Sequence, residues 1–189
     1  MDLSKKNHIL ETAMKLFNEN GFHNTPTSKI AKAAGVSVGT LFNYFPTKED
    51  LILEIYTVIK THSRGAFIEH LLKEELPVYD LMKDMWHTIV IWGLENPEEF
   101  HYLNLFTHSP FKKMFQNEKL MEEFAKLREL LLKGISPSPA CRMYPEFSMI
   151  YMSNAFTATT EFLLHNDVDD KDHFVDSAFD LFWRGFSQR

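Results

Sequence analysis

The sequence has a single cysteine, Cys141, and only seven glycines among its 189 residues. One cysteine excludes an internal disulfide framework and a zinc site built from several cysteines. The sequence contains no glycine-rich phosphate loop and no nucleophile elbow, so we expect that the protein is not an enzyme. No apolar run approaches the ~18 residues of a membrane-spanning helix, and the N-terminus lacks the apolar segment of a signal peptide. We therefore expect a cytoplasmic protein that does not bind a membrane.

The composition is that of a globular protein, with 44% hydrophobic and 24% charged residues. Charge is distributed unevenly along the chain. Residues 1–48 carry six lysines against three acidic residues, although the net charge of the whole chain is −6. A weakly basic N-terminal segment attached to an acidic remainder suggests that only this segment contacts a polyanion. An ordinary solvated surface is the alternative.

Almost every segment shows the spacing of an amphipathic helix, which predicts an all-α fold of about nine helices. In the first helix Ile9, Ala13 and Phe17 share one face, and Gly21 ends the helix. Thr25 is expected to cap the second helix, in which Pro26 takes the first position. The later helices are predicted at about residues 26–34, 38–45, 48–76, 78–95, 97–109, 117–133, 145–165 and 171–187, with a loop at 134–139.

Two short predicted helices are joined by a tight turn that contains Gly35, which is the pattern of a helix-turn-helix motif. Ser37 is expected to cap the second of them. Gly39 and Thr40 are small enough to let this helix approach the groove of a duplex closely, so we predict that it is the recognition helix. An interior helical hairpin is the alternative.

The pattern in residues 9–51 is specific enough to indicate a family. The residues that carry it are Ile9, Ala13, Leu16, Phe17, Gly21, Phe22, Thr25, Ile30, Ala31, Ala34–Ser37, Gly39–Phe42, Tyr44, Phe45, Lys48 and Leu51. In these residues the chain resembles the N-terminal domain of the TetR/AcrR family of bacterial transcriptional regulators. The resemblance implies a three-helix DNA-binding domain at residues 1–47 and a larger helical ligand-binding and dimerisation domain at residues 48–189.

The resemblance also implies which side chains contact DNA. Thr25, as the cap of the second helix, would belong to this surface, and Thr27 would lie near a phosphate. Residues that face the bases of the major groove would confer sequence preference, whereas contacts to phosphates would fix the register. The base-facing residues would be Thr40, Phe42 and Asn43, and the phosphate-binding residues would be Tyr44 and Lys48.

Two positions of the predicted recognition helix depart from the family pattern. The family often has a basic residue where this chain has Val38 and a tyrosine where it has Phe42. These apolar side chains are suited to contacts with thymine methyl groups, and the missing charge predicts a shallow dependence of affinity on salt. Simple packing is the alternative for Phe42, and a half-buried ring is the alternative for Tyr44.

The C-terminal helices have more apolar surface than a monomer needs. The helix predicted at 171–187 carries two apolar stripes, whereas a helix that packs only on its own domain needs one. The resemblance implies a symmetric homodimer formed through the last two helices. The residues predicted for this interface are Ser153, Thr157, Phe174, Ala178, Leu181 and Phe182. The alternative is that the helix at 145–165 is the central core helix of a monomer.

Phenylalanine and methionine are abundant in the larger domain, which favours either an adaptable apolar pocket or an ordinary core. The resemblance implies that a small-molecule inducer binds there. The residues predicted to line its site are Trp86, His87, Tyr102, Phe106, His108, Phe124, Asn154 and Glu161. The carboxylate of Glu161 would favour a cationic ligand, and a position at a solvated edge is its alternative.

We predict neither a metal site nor a cofactor. Nine histidines are present, but the pairs His62 with His70 and His101 with His108 lack the i, i+4 spacing of a helical zinc site. Cys141 is expected in a loop, as an ordinary thiol, with a redox sensor as the alternative.

These observations together predict a ligand-responsive, homodimeric regulator that binds double-stranded DNA. Its simplest mode of action is repression from a pseudo-palindromic operator, with release when a small apolar or amphipathic molecule binds. Two alternatives are a DNA-binding regulator without an inducer and an all-helical adaptor with a vestigial head.

Overall fold

A computed structural model describes residues 2–71, 77–115 and 138–187 of the chain. The described ranges contain nine α-helices and one 3₁₀-helix, which confirms the predicted all-α fold. The α-helices are α1 (Leu3–Asn20), α2 (Thr27–Ala33), α3 (Val38–Tyr44), α4 (Lys48–Leu71), α5 (Val78–Glu95), α6 (Pro97–Thr107), α7 (Pro139–Met143), α8 (Pro145–His165) and α9 (Lys171–Phe186). The 3₁₀-helix comprises Pro110–Met114. The helix predicted at 117–133 lies outside the described residues.

The chain packs as two compact units. The N-terminal unit comprises residues 1–62 and 96–115, and therefore contains α1–α3, most of α4, α6 and the 3₁₀-helix. The second unit comprises residues 63–95 and 116–189, and contains α5 and α7–α9. The predicted boundary at residue 47, between a DNA-binding domain and a ligand-binding and dimerisation domain, stays a prediction. In the structure, α6 packs with the N-terminal helices.

The turn between α1 and α2 is built around Gly21 and Thr25. Gly21 has a φ of 75°, which glycine adopts without strain, and its amide donates to the Phe17 carbonyl. The Thr25 hydroxyl lies 2.8 Å from the Gly21 carbonyl oxygen and 3.2 Å from that of Leu16. The predicted cap of α2 by Thr25 is therefore wrong, because this hydroxyl satisfies carbonyls at the end of α1. The N-cap of α2 is Pro26, which makes no side-chain cap hydrogen bond.

The turn between α2 and α3 follows the helix-turn-helix pattern. Gly35 has a φ of 65°, and the amide of Val36 donates to the Ala31 carbonyl across 2.9 Å. The Ser37 hydroxyl then accepts a hydrogen bond from the Thr40 amide at 3.0 Å. The predicted Ser37 cap is thus confirmed, and it fixes the residue at which α3 begins.

The core of the N-terminal unit is aromatic and joins α6 to the preceding helices. The ring of Tyr102 packs edge-on against that of Phe22, with centroids 5.6 Å apart, and Phe22 packs on Phe17 at 5.1 Å. The Tyr102 hydroxyl donates to the Ile52 carbonyl in α4 across 2.8 Å. These contacts explain why α6 belongs to this unit, although it is distant in sequence.

The core of the second unit is centred on Trp86 of α5. Its ring lies 4.7 Å from that of Phe156 in α8 and 5.1 Å from that of Phe182 in α9, measured between centroids. Cys141 is buried in the same cluster and belongs to α7. The prediction that Cys141 lies in a loop is therefore wrong.

Polar side chains connect α5 to α9 beside this core. One carboxylate oxygen of Asp176 lies 2.6 Å from the Nε2 of His87 and 3.0 Å from the Nζ of Lys83. One turn further along α9, Asp180 accepts a hydrogen bond from the Tyr79 hydroxyl at 2.9 Å. The donors are spaced by four residues on α5 and the acceptors by four on α9, so the pairs lie in a row.

Candidate nucleic-acid interface

The outer face of α3 is apolar and uncharged. Leu41 is buried against the N-terminal unit, whereas Val38 and Phe42 keep 40% and 39% of their surface exposed. Asn43 beside them is also exposed, and the sequence of α3 contains no charged residue. The exposure of Phe42 argues against its alternative as a simple packing residue. This helix can therefore present apolar groups, the Asn43 amide and the Thr40 hydroxyl to a groove, but no ionic contact.

Thr40 is held in place by the cap of its own helix. Its hydroxyl lies 2.8 Å from the Ser37 hydroxyl, and its side chain is half-buried. A hydroxyl can take part in more than one hydrogen bond, so this contact orients Thr40 and leaves it able to contact a base.

The start of α1 lies beside the end of α3. The Tyr44 hydroxyl is 3.4 Å from the main-chain oxygen of Asp2, and the ring is half-buried. Lys5, in the first turn of α1, is exposed, whereas Lys6 forms an ion pair with Glu54. Lys5 is therefore a further candidate for binding a phosphate, and it was not predicted from the sequence. Its position in the basic N-terminal segment could have indicated it.

Lys48 makes contacts within the N-terminal unit. Its ammonium group donates to the Phe22 carbonyl and lies 5.9 Å above the centre of the Phe17 ring. Burial lowers the pKa of Lys48, and the carboxylate of Glu49 acts in the opposite direction. The ammonium group of Lys48 is therefore directed at the turn after α1, and its contact with a DNA phosphate stays a prediction.

The two threonines selected before α3 differ in accessibility. Thr25 is fully buried with both of its hydrogen bonds inside the protein, so we remove it from the candidate interface. Thr27 is the first residue of α2 and is half-exposed. A phosphate contact by Thr27 is compatible with this position and stays a prediction.

The residues predicted to line a ligand site are divided between the two units. In the N-terminal unit, Tyr102 is fully hydrogen-bonded in the core, and Phe106 is buried against Tyr56 with ring centroids 4.1 Å apart. His108 is exposed and contacts the Asn104 carbonyl oxygen through Nδ1 at 2.8 Å. Each of these side chains thus has a contact that accounts for it without a ligand.

The remaining ligand candidates belong to the second unit. Trp86 is in its core, and His87 binds Asp176. Asn154 is exposed on α8 and Glu161 is half-buried there. Phe124 lies outside the described residues. A ligand role for these residues stays a prediction.

Within the described part of the second unit, the indole Nε1 of Trp86 and the hydroxyl of Thr160 are buried without a hydrogen-bond partner. The Trp86 side chain keeps 1% of its surface exposed, and that of Thr160 keeps none. Most buried polar groups in proteins are hydrogen-bonded, so such exceptions indicate a missing partner. Thr160 was not predicted from the sequence, because no sequence pattern shows that a hydroxyl lacks a partner.

Exposed apolar side chains lie along α8 and α9. Leu181 is 76% exposed, and Phe147, Ile150 and Phe162 on α8 are also exposed. Among the residues predicted for the dimer, Ser153 is exposed, and Thr157, Phe174 and Ala178 are half-buried. Phe182 is only 3% exposed, so we correct its assignment: this residue belongs to the monomer core and not to a surface that a partner can reach.

The described part of the chain contains no cluster of three or more His, Cys, Asp or Glu residues placed to bind a metal ion. Among the described helices, none is both long and apolar enough to cross a membrane.

Comparison with known proteins identifies relatives of the N-terminal segment. The family described as bacterial regulatory proteins, tetR family, matches residues 9–55. The chain is 40% identical to the fatty acid metabolism regulator protein of Bacillus subtilis (strain 168) over 63 residues, which is 33% of this chain. That match spans 30% of the regulator's own length, and matches to two further curated relatives span 21% and 32% of theirs.

Solved structures match nearly the whole chain. A tetR family transcription regulator from Shewanella sp. PV-4 is 26% identical with a TM-score of 0.78, and the match covers 98% of this chain and 99% of that one. AibR, solved in complex with isovaleryl coenzyme A and operator DNA, has a TM-score of 0.62 at 12% identity, with 94% and 97% covered. At that identity, AibR shows the shared fold alone. The matched proteins are regulators, which confirms the prediction that the chain is not an enzyme.

Proposed function

Since the chain belongs to the TetR family of bacterial transcriptional regulators, we propose that it binds a pseudo-palindromic operator as a homodimer and represses transcription. A small apolar or amphipathic molecule releases it from the operator. The protein acts in the cytoplasm, where it meets its DNA. The observation that carries this proposal is the exposed, uncharged outer face of α3, held by the Ser37 cap in a helix-turn-helix.

The side chains on α3 favour A·T base pairs. The thymine methyl is the apolar group that the major groove presents, and an asparagine pairs well with adenine. Val38 and Phe42 therefore contact thymine methyl groups, and Asn43 contacts an adenine. Val38 and Phe42 are four residues apart, or ~6 Å along the helix, which corresponds to about two base-pair steps. Few cations remain for phosphates, because Lys6 and Lys48 have partners within the protein.

The apolar surface of α8 and α9 supports the homodimer. Leu181, Phe147 and Ile150 expose large apolar side chains on two helices that pack together, and exposed apolar surface of this kind is typical of an interface. A two-fold dimer presents two copies of α3, and half-sites about one DNA turn apart follow from that symmetry.

Binding of a small molecule is the mechanism that we propose for release. The matched B. subtilis relative is described as a fatty acid metabolism regulator protein, which is compatible with an apolar or amphipathic ligand. A ligand can release DNA only if it binds one of two conformations better than the other.

Selection from a random duplex library, followed by titration of the selected sequence at several salt concentrations, tests the proposal. We expect a pseudo-palindrome bound by two subunits, with A·T pairs beneath α3.

Replacing single thymines by uracil removes only the methyl group, and should weaken binding about fourfold at the contacted positions. Val38→Ala and Phe42→Ala should each abolish the loss of affinity caused by uracil at one position of each half-site. A folded dimer that enriches no sequence at low salt would contradict the proposed function.

A regulator without an inducer is the second candidate. The observation that favours it is the core of the second unit, in which Trp86, Phe156 and Phe182 already pack closely. If no small molecule raises the unfolding temperature or lowers operator affinity, this candidate replaces the first, whereas the DNA-binding result is unaffected.

A further inference from the structure

The unpartnered groups of Trp86 and Thr160 belong to two helices that pack against each other, α5 and α8. Trp86 of α5 contacts Phe156 of α8, and Thr160 follows Phe156 by four residues, so both lie on the same face of α8. Neither the Trp86 Nε1 nor the Thr160 hydroxyl has a hydrogen-bond partner. Threonines in helices often bond to the carbonyl four residues earlier, as Thr159 does to Ala155, but Thr160 does not.

The chemistry of these groups defines what could satisfy them. An indole N–H can only donate, so its partner must offer an acceptor atom. The surroundings are aromatic and aliphatic, which excludes a free anion as a low-cost partner because its charge would lose its hydration. A neutral carbonyl oxygen on an apolar body meets both conditions, and the Thr160 hydroxyl can donate to the same molecule.

We propose that Trp86 and Thr160 form the polar end of a ligand site between α5 and α8, and that its ligand is an apolar molecule with a neutral carbonyl oxygen. This inference rests on the proposed function, in which a small molecule binds the second unit. It also differs from the expectation that Glu161 selects a cationic ligand.

Unfolding of the ligand-free protein gives the first test. Thr160→Val keeps the shape of the side chain and removes the hydroxyl. A hydroxyl without a partner destabilises the folded state, so the substitution should raise the unfolding temperature by about 2–4 °C. A fall in the unfolding temperature would show that a buried water already satisfies Thr160, and would overturn the proposal.

Binding of a matched pair of probes gives the second test. Methyl decanoate carries a carbonyl oxygen, and decane does not. The affinity for the ester divided by the affinity for decane measures the preference for the carbonyl oxygen. This ratio should be at least about fivefold larger for the wild type than for the Trp86→Phe variant. Trp183→Phe, which removes an indole N–H from a half-buried position on α9, is the control and should keep the preference.

The outcomes separate this inference from the proposed function. Equal binding of ester and decane to the wild type would overturn the carbonyl site while leaving ligand binding intact. Binding of neither probe would overturn the site, and a retained operator affinity in the same preparation would show that the DNA-binding function survives. Loss of the ester preference in both tryptophan variants would overturn the assignment to Trp86.

Discussion

At the scale of single residues, Lys60 of α4 is the most perturbed cation in the described part of the chain. Its Nζ lies 5.8 Å above the centre of the Tyr56 ring, which itself packs on Phe106 and Phe115. Burial lowers the pKa of Lys60 to about 8 and raises the pKa of Tyr56 to about 12. The protonated ammonium group is therefore less stable in the folded protein than in the unfolded chain.

This perturbation predicts a rise of stability with pH. Between about pH 8 and the unperturbed pKa of 10.5, the unfolded chain holds the Lys60 proton and the folded protein does not, so the free energy of unfolding increases. Lys60→Met should raise stability at pH 7 and remove this part of the increase. Urea unfolding from pH 7 to pH 10 measures both effects. Lys15→Met, at an exposed position of α1, is the control. If the free energy of unfolding of Lys60→Met rises with pH as steeply as that of the wild type, the lowered pKa of Lys60 would be refuted.

Individual residues also show where prediction from sequence ended. Ser37 was predictable as a cap because a serine before a short apolar run has one main use there. The contacts of Thr25 were not predictable, because this residue lies between the end of α1 and the start of α2. The sequence alone does not show which of the two helix ends its hydroxyl binds. Lys48 matches a family position, yet its ammonium bonds to a carbonyl that is 26 residues away. Such contacts depend on tertiary packing, which local patterns do not contain.

At the scale of helices, spacing predicted most bounds to within a few residues, and it failed where a side chain lies at the edge of a stripe. Leu181 and Phe182 are adjacent, and successive residues of a helix are separated by about 100°, so both fit a broad apolar face. Packing decides between them: Phe182 lies against Trp86, whereas Leu181 remains exposed. One residue predicted for the interface, Phe182, is therefore wrong, whereas the interface itself stays a prediction.

The polar row between α5 and α9 predicts a loss of stability in acid. Burial acts to raise the pKa of Asp176, but hydrogen bonds from His87 and Lys83 outweigh it, and the net pKa is lowered from 3.8. The carboxylate therefore stabilises the folded state at neutral pH, and this contribution is lost as the pH falls through the lowered pKa.

Asp176→Asn tests this contribution. The variant should be less stable than the wild type at pH 7, and the difference should shrink as the pH falls through the lowered pKa, because the wild-type carboxyl group then becomes protonated in the folded protein as well. Thermal unfolding from neutral to acid pH measures this change. Asp172→Asn, one turn earlier and exposed, should change stability little across the same range. A stability difference between Asp176→Asn and the wild type that stays constant as the pH falls would speak against the lowered pKa.

At the scale of the whole molecule, the proposed homodimer predicts the effect of charge on α9. Leu181→Lys places an ammonium group in the exposed apolar face, so burial against a partner becomes unfavourable. We expect a monomeric mass in analytical ultracentrifugation at micromolar concentration and a loss of tight operator binding. Asp172→Lys, on the opposite side of α9, should remain dimeric. A dimeric Leu181→Lys variant would exclude this face as the interface.

The N-terminal unit is not a continuous stretch of sequence, because the chain leaves it after residue 62 and returns for residues 96–115. Tyr102 covers Phe22 and bonds to Ile52, and the Asn18 amide bonds to the Glu98 carbonyl at 2.9 Å. A gene fragment that encodes only the first 62 residues would thus leave an aromatic core open to solvent. The first 62 residues therefore cannot be transferred alone to another protein. Chimeric regulators, whether made by recombination or by design, must include α6 together with the helices that contact DNA.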